Sequence, residues 1–341
     1  MPSIKTVAEI AGVSIGTVSN VITGAAPVGV ELRAKVETAI RLLNYHPNHV
    51  ARSLKTSRTR TLGMIVPDMT IPFFPQVIRG AEAAARKRGY SLFAVNSNDD
   101  AQRQMELLSL LRSQRVEGIL LVIAADPTPL EEISRIVDGG IPIIGLDRTL
   151  EISVDSVSVD DQQGAELGVN HLIEMGYRRI AVVTGPPALH NERKRLQGYR
   201  FALERAGLRV DDLLIWKGNL KPTDVMEACR ERLSDSRARP DAIFCTNGPS
   251  GLGVLRALRE RGLKTPDDIG FATFDELTVA DLFTPSITTV VQPAFDIGFR
   301  AAESLVGRLQ GAGNGSAIAI RLPARLEVRA SSQPQRRHQN T

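Results

Sequence analysis

The chain has 341 residues, 43 % of them apolar and 23 % charged, a composition that excludes a disordered or fibrous protein and leaves room for two or three domains of roughly 150 residues. No apolar run approaches the roughly 20 residues needed to span a bilayer, and residues 1–25 lack the pattern of an export signal, so a cytoplasmic protein with no membrane partner is expected. The net charge of +4 is unevenly divided: residues 1–61 hold eight basic side chains against three acidic ones, and the rest of the chain sums to −1, which suggests a polyanion-binding head on a near-neutral body.

The first 45 residues read as three short helices. Ser3 can cap a helix through Val7, Ala8, Ile10 and Ala11 that stops at Gly12. Ser14 can cap a second, with Val18, Val21 and Ile22 inward and Gly24 at its end. Leu32, Val36, Ala39, Ile40 and Leu43 are spaced for one face of a third. Two helices joined by Gly12-Val13-Ser14 and followed by a packing helix form a helix-turn-helix pattern. Its outward positions are Ile15, Gly16, Thr17, Ser19 and Asn20. Hydroxyls at a helix N-terminus suit phosphate, Asn can pair bidentately with adenine, and Ile can pack on a thymine methyl. Asn48 to Leu54 has helical spacing but little apolar surface, and such a helix needs a partner to order it. A polar, basic linker follows, Lys55 to Arg60.

From Thr61 onward, short apolar runs alternate with helical stretches. The expected strands are Leu62 to Val66, Ser91 to Val95, Gly118 to Val122, Pro142 to Leu146, Ile180 to Val183, Leu213 to Trp216, Ala242 to Cys245 and Ile269 to Phe274. Helices are expected at Gln76 to Arg88, Gln102 to Gln114, Gly164 to Met175 and Gly251 to Arg261. This alternation implies α/β architecture with parallel sheets covered on both faces. The helix through Gly164 to Met175 begins a second group, which favours two lobes with a cleft at the carboxyl ends of the strands.

Motifs for catalysis are absent. The glycines at 248, 251 and 253 run G-x-x-G-x-G, the wrong order for a dinucleotide fingerprint, and there is no P-loop, H-E-x-x-H or G-x-S-x-G. Cys229 and Cys245 are too few for a disulfide framework and lack metal-site spacing, so two buried thiols are expected. The expectation is a protein that is not an enzyme, with no cofactor and no metal.

The segments SIKTVAEIAGVSIGTVSNVITG, LNYHPNHVARSLK, IPFFPQVIRGAE, GYRRIAVVTG, RLQGY, TPDDIGFATFDE, LFTPSITTVVQP and LPARLEVR resemble the lactose/galactose repressor (LacI–GalR) family of transcription factors, in order and over nearly the whole chain. The resemblance implies an operator-binding head at 1–46, a hinge helix and linker at 47–60, and a two-lobed, periplasmic-binding-protein-like sensor that dimerises at 61–335; the polar composition of the chain's end makes 336–341 an expected disordered tail. It places Ile15, Gly16 and Asn20 at base-reading positions and Ser14, Thr17 and Ser19 at phosphate contacts. VARSL, at Val50 to Leu54, matches the hinge helix, which puts Val50, Ala51 and Leu54 at the DNA, with Leu54 as an apolar wedge in the central minor-groove step. Covering the head's core is the plainer role for Leu54.

In the sensor, Phe73 and Phe74 follow Pro72 at the end of the first strand and fit a wall that stacks on a small ring. Asp147 and Arg148 follow another strand, His190, Asn191 and Arg195 open the helix ending in RLQGY, and Asn247 and Asp275 follow two further strands. Carboxylates, a guanidinium and amides around an aromatic wall suit a polyol, whose hydroxyls each need a donor and an acceptor. Any one of them could instead serve a structural role such as helix capping. The chain departs from the family at Ile71, where Asn is usual before Pro-Phe-Phe, and at Gly248, where Asp often follows the Asn. It departs again at His190 and Asn191, where small hydroxylated residues are common, and at Pro27-Val28-Gly29-Val30, which replaces a Ser-capped start of the third helix. The expected function is a homodimeric repressor released from a pseudo-palindromic operator in double-stranded DNA by a small sugar-like effector. The alternatives are a regulator that depends on a corepressor or a partner protein, and a solute-binding protein.

Overall fold

The computed structural model describes residues 2–24, 26–45, 58–125, 128–235, 237, 239–277, 279–311 and 316–334. Val50, Ala51 and Leu54, with most of the expected hinge, and the tail at 336–341 lie outside the described residues. The chain divides into two units, Met1–Thr59 and Arg60–Thr341.

The first unit contains α1 (Ile4–Ala11), α2 (Ile15–Thr23) and α3 (Val30–Leu42). Ser3 caps α1 in a reciprocal box with Thr6, and α1 ends at Gly12, whose φ of +64° glycine adopts at no steric cost. Ser14 caps α2 and Gly24 closes it. At Gly29 no side chain caps α3, as the missing Ser implies. Val7, Ala8, Ala11, Val18, Val36 and Ala39 form the core, with Val21, Ile22, Ile40 and Leu43 half-buried around it. Two expected core residues are not in it. Ile10 is 53 % exposed because it lies about 100° around α1 from the Ala8–Ala11 stripe. Leu32 is 41 % exposed because it sits in the first turn of α3, one turn before the fully buried Val36.

In the second unit the elements follow in order: β1 (Thr61–Val66), α4 (Phe73–Lys87), β2 (Ser91–Asn96), α5 (Ala101–Ser113), β3 (Gly118–Leu121), α6 (Leu130–Asp138), β4 (Ile143–Leu146), β5 (Asp155–Val159), α7 (Asp161–Glu174), β6 (Ile180–Thr184), α8 (His190–Arg205), β7 (Ile215–Lys217), α9 (Pro222–Arg232), β8 (Ala242–Cys245), α10 (Gly248–Glu260), β9 (Gly270–Phe274), β10 (Thr288–Val291), α11 (Ala294–Leu309), β11 (Ala319–Leu322) and β12 (Arg325–Glu327). They make two six-stranded sheets, ordered β11-β5-β4-β3-β1-β2 and β12-β10-β9-β8-β6-β7. Every pair in the first sheet is parallel, and in the second only the β10–β12 pair is antiparallel. Each sheet anchors one lobe, and the two lobes repeat one strand order.

All eight expected strands are present, with one shifted. Asp211 accepts the Leu213 N–H at 3.0 Å and turns Asp212–Leu214 into a 3-10 helix, so β7 starts at Ile215. The sequence reading passed over β5, β10, β11 and β12. β11 and β12 are edge strands with exposed side chains, and β5 and β10 carry Ser and Thr where an apolar run was sought. Helix α4 begins at Phe73 rather than Gln76, since Pro75 falls in the first turn, where no N–H is required. The chain passes between lobes at Asp160, at Gln292-Pro293 and at Pro323-Ala324. In the first lobe α4 and α11 cross with backbones almost touching. A Cβ on Gly80 would lie 1.9 Å from the Phe295 carbonyl oxygen, and one on Gly298 would lie 1.9 Å from that of Val77. Among the described residues no single helix is long and apolar enough to cross a membrane. α1 and α2 pass that test only as a pair, bent by 106°.

Candidate functional site: an interlobe cleft and an exposed helix terminus

Helix α2 exposes its N-terminus. Ser14, Ile15 and Gly16 are exposed, Ile15 by 48 %, while Thr17, Ser19 and Asn20 are half-buried. The Ser14 hydroxyl accepts the Thr17 N–H at 3.1 Å and shares a 3.0 Å hydrogen bond with its Oγ1, which orders this end of the helix. Among the described residues the side chains of Ser19 and Asn20 make no hydrogen bond, so their polar atoms are free for a ligand. The helices hold only a small charge excess: Lys35 pairs with Glu31 at 2.9 Å and Arg33 with Glu37 at 4.0 Å. Four of the eight cations, Arg52, Lys55, Arg58 and Arg60, belong to the segment after them.

In the second unit, loops beyond the carboxyl ends of both sheets enclose a cavity of about 340 Å³. It brings together Phe73, Phe74, Asp147, Arg148, Asn191, Arg195, Asn247 and Asp275, which the chain separates by up to about two hundred residues. Phe73 and Phe74 pack edge to face, centroids 5.1 Å apart, in the first turn of α4 and not at the end of β1, which stops at Val66.

Arg195 organises the site and is only 2 % exposed. Its Nε donates to Asp161 Oδ1 at 2.8 Å and its Nη1 to the Thr246 carbonyl at 2.7 Å. Its guanidinium lies 3.8 Å from the centroid of the Phe274 ring. Asp147 and Asp275 approach at 4.0 and 3.9 Å, ion-pair contacts too long for hydrogen bonds, and Nη2 is buried without a hydrogen-bond partner. Burial pushes the Asp147 carboxyl up to about 7 against the pull of Arg195, and raises Asp161 to about 6 in the same way. Burial also opposes the charge on Arg195, but Asp161, Asp275, Glu192 and Asp147 outweigh it and hold the guanidinium charged.

Supporting groups surround this centre. Glu192 is 2 % exposed and fully engaged: Oε1 accepts the Asn247 amide at 2.9 Å, and Oε2 accepts the Gly185 N–H at 2.8 Å and the Thr246 hydroxyl. Asn247 also caps α10, its Oδ1 accepting the Ser250 N–H at 2.8 Å, so its amide is spent within the protein and it serves as wall and cap at once. Arg148 donates to the Ile123 carbonyl at 2.9 Å and to both oxygens of Asp99. Gln292, at a crossing between lobes, donates to Asp275 Oδ1 while its own Oε1 is buried without a partner.

His190 is the one expected cleft residue that the structure places elsewhere. On α8, Asn191 and Arg195 are four apart and face the cleft, whereas His190 and Lys194 form the neighbouring stripe and line a separate recess. Sequence reasoning missed Asp99, Asp161, Glu192 and Gln292. Asp161 opens a helix at a strand–helix junction, and Glu192 sits between two residues already singled out. Gln292 lies in the quoted segment LFTPSITTVVQP, so a signal existed for each of these three. The glycines of the G-x-x-G-x-G run serve packing: a Cβ on Gly251 would come within 2.8 Å of Thr273 Oγ1, and one on Gly253 within 2.7 Å of the Pro222 carbonyl. Cys229 and Cys245 are buried free thiols, and among the described residues no cluster of three or more His, Cys, Asp or Glu could hold a metal.

A head with an exposed helix-turn-helix terminus, joined in one chain to a two-lobed α/β unit with a polar cleft, defines a ligand-responsive DNA-binding transcriptional regulator. The comparisons agree. Residues 59–326 match the model "Periplasmic binding proteins and sugar binding domain of LacI family", and residues 3–48 match "Bacterial regulatory proteins, lacI family". The chain belongs to the LacI family. It is 37 % identical over 310 residues to the ribose operon repressor of Escherichia coli (strain K12), covering 91 % of this chain and 93 % of that one. It is 36 % identical over 313 residues to the transcriptional repressor PurR of Vibrio atlanticus (strain LGP32), covering 91 % and 92 %. Among solved structures it resembles the lac repressor dimer bound to operator and the anti-inducer ONPF, with TM-score 0.83, 25 % identity and coverage of 97 % and 99 %. It also resembles the CelR–cellobiose complex, with TM-score 0.73, 32 % identity and coverage of 97 % and 100 %. These relatives are transcriptional regulators, not enzymes.

Proposed function

We propose that the protein is a homodimeric repressor whose two heads, residues 1–46, grip a pseudo-palindromic operator and release it when a small sugar or sugar derivative fills the interlobe cleft. One observation carries the effector half of this reading: a buried guanidinium, Arg195, faced by Asp147 from one lobe and Asp275 from the other, neither within hydrogen-bond distance. A polyol has hydroxyls that donate to both carboxylates and accept from the guanidinium, so closure around it adds bonds the empty cleft lacks. Phe73 and Phe74 supply the flat apolar wall, and Arg148 and Asn191 the rim.

In the head, Ile15, Gly16 and Asn20 are suited to base edges and Ser14, Thr17 and Ser19 to the sugar-phosphate side. The segment 47–60, with Val50, Ala51 and Leu54, acts as the hinge, and cleft closure in the 61–335 unit lowers operator affinity through it by a coupling of about 1–3 kcal/mol. Linkage requires operator to weaken the effector by the same factor. Exposed Leu282 and Phe283 offer an apolar face for a second copy, and two-fold symmetry of the site would mirror that of the protein. The protein works in the cytoplasm on chromosomal DNA, without a cofactor. The decisive experiment selects duplexes from a random pool with the full chain and then titrates the winner with D-ribose, cellobiose and purines. Release supports the repressor–inducer reading, tightening makes the ligand a corepressor, and no preferred duplex would refute the operator reading.

A further inference from the structure

We propose that the protein carries a second small-molecule site, for a compact organic or inorganic anion with a phosphate or carboxylate head, in the recess that holds His190. The recess has a volume of about 260 Å³, enough for a molecule of sugar size, and is separate from the cleft. Thr149 and Arg321 reach it from the first lobe, His190 and Lys194 from α8 in the second, and the β5–α7 crossing forms its floor.

Uncommitted hydrogen-bond donors, rather than net charge, select the occupant, because Asp160 and Glu166 accept only from uncharged groups and offset Lys194 and Arg321. Each carboxylate in the recess already accepts a hydrogen bond: Asp160 from the Gln163 N–H at 3.1 Å, Asp161 from Arg195 at 2.8 Å, and Glu166 from the Gln162 amide at 3.0 Å. The donor side is unsatisfied. Among the described residues neither the His190 ring nor the Arg321 guanidinium makes a hydrogen bond or an ion pair, and Lys194 donates only to Gln197, at 3.1 Å. These groups converge closely enough that Arg193, Lys194 and Arg321 add to burial in lowering the proton affinity of His190. Charge-assisted donors converging from both lobes fit a multi-oxygen anion, whose remaining hydroxyls could meet Thr149 and Glu166.

The site is placed to matter. Asp161 lines the recess, yet its partner Arg195 lines the cleft, so one ion pair forms the partition between the two. A negative charge beside Asp161 alters how that carboxylate competes with Asp147 and Asp275 for Arg195. Occupancy of one site therefore changes affinity at the other, reciprocally.

The test uses the full chain at fixed ionic strength, with chloride as reference and thermal shift and calorimetry as readouts. Inorganic phosphate and D-gluconate are the anion probes, and whichever saturates names the head group. One of them should raise Tm saturably, with affinity at least tenfold weaker in Arg321→Gln and Lys194→Gln, whereas Asp275→Asn, which reaches the recess only through Arg195, should keep a saturable response with affinity within about threefold of the wild type. Arg321 is exposed and unbonded, so its substitution leaves the fold intact. The proposal is overturned if neither anion gives a saturable response, or if Arg321→Gln responds as the wild type does, which would locate the anion on the basic head. Loss of the response in Asp275→Asn would equally overturn it, because the anion would then sit in the cleft. A parallel titration with D-ribose bears on the effector reading alone, so the two can fail independently.

Discussion

Asp147 and Asp275 occupy equivalent points in the two sheets and face the same cation. Each is the first residue after its strand, β4 or β9, and each has a left-handed backbone, with φ of +57° and +70°. Each donates its N–H to the next strand in the chain, Asp147 to Val157 at 3.1 Å and Asp275 to Val290 at 2.9 Å. Asp tolerates this conformation better than most residues, and it turns both carboxyls toward Arg195. One carboxylate per lobe on one guanidinium makes the cleft sensitive to lobe spacing.

Asp275→Asn keeps the side-chain shape and its contact with Gln292 but removes one charge facing the effector. Operator affinity in the absence of effector should stay within about twofold, and the effector concentration giving half-release should rise by about tenfold or more. An unchanged dose–response curve for operator release, read by fluorescence anisotropy, would remove Asp275 from the effector contacts.

The raised carboxyls give the second unit a pH signature. Asp147, held near 7 when folded, and Asp161, near 6, start from 3.8 in the unfolded chain, so the folded state binds these protons more tightly. Their contribution is complete below about pH 4 and is lost as pH rises through about 6 and 7, a decline of several kcal/mol. Urea unfolding of the ligand-free protein should show it, and Asp147→Asn should flatten the upper part of the curve. A stability that rises steadily from pH 5 to pH 8, with no difference between the two proteins, contradicts this assignment.

Arg195→Met would remove the buried cation that Asp147, Asp161 and Asp275 share. Uncompensated carboxylates should cost about 3–5 kcal/mol, with part recovered in the Arg195→Met, Asp161→Asn double variant. Equilibrium denaturation of the four proteins in this cycle measures the coupling, and strict additivity would show that the pair is energetically silent.

Gly80→Ala and Gly298→Ala each force a methyl to within 1.9 Å of a carbonyl oxygen across the α4–α11 crossing. Backbone cannot yield as a side-chain tip does, so each should cost about 3 kcal/mol or more. Gly16→Ala is the contrasting control, since a Cβ there meets only Ser14 Oγ at 3.5 Å, and its unfolding midpoint should match the wild type.

Asn20→Ala should redistribute operator preference, with about 1–3 kcal/mol lost at one base pair and little elsewhere. Binding arrays over all single-base operator variants read this directly. A uniform loss on every sequence would assign Asn20 to the backbone.

The sequence was most legible where a local rule governs. Ser3, Gly12, Ser14 and Gly24 bound two helices because capping needs only neighbours in the chain, and the buried strands β1, β3, β6, β8 and β9 betray themselves as apolar runs. Edge strands β11 and β12 left no such trace, because their pairing depends on partners more than thirty residues away. Arg195 and the two aspartates were recognisable from motif and strand ends. That Asn247 spends its amide on Glu192 and α10, that His190 turns away from the cleft, and that Asp161 completes the ion cluster were settled only by tertiary structure. A residue's type fixes which bonds it can make, and helix phase with sheet order decides which partners arrive within 3 Å. Strand propensity, helix caps and charge asymmetry are properties of short stretches, so the chain alone determined the class and the parts. Burial and long-range pairing set the proton affinities and the division into cleft and recess, and these exist only once two sheets distant in sequence have been brought together.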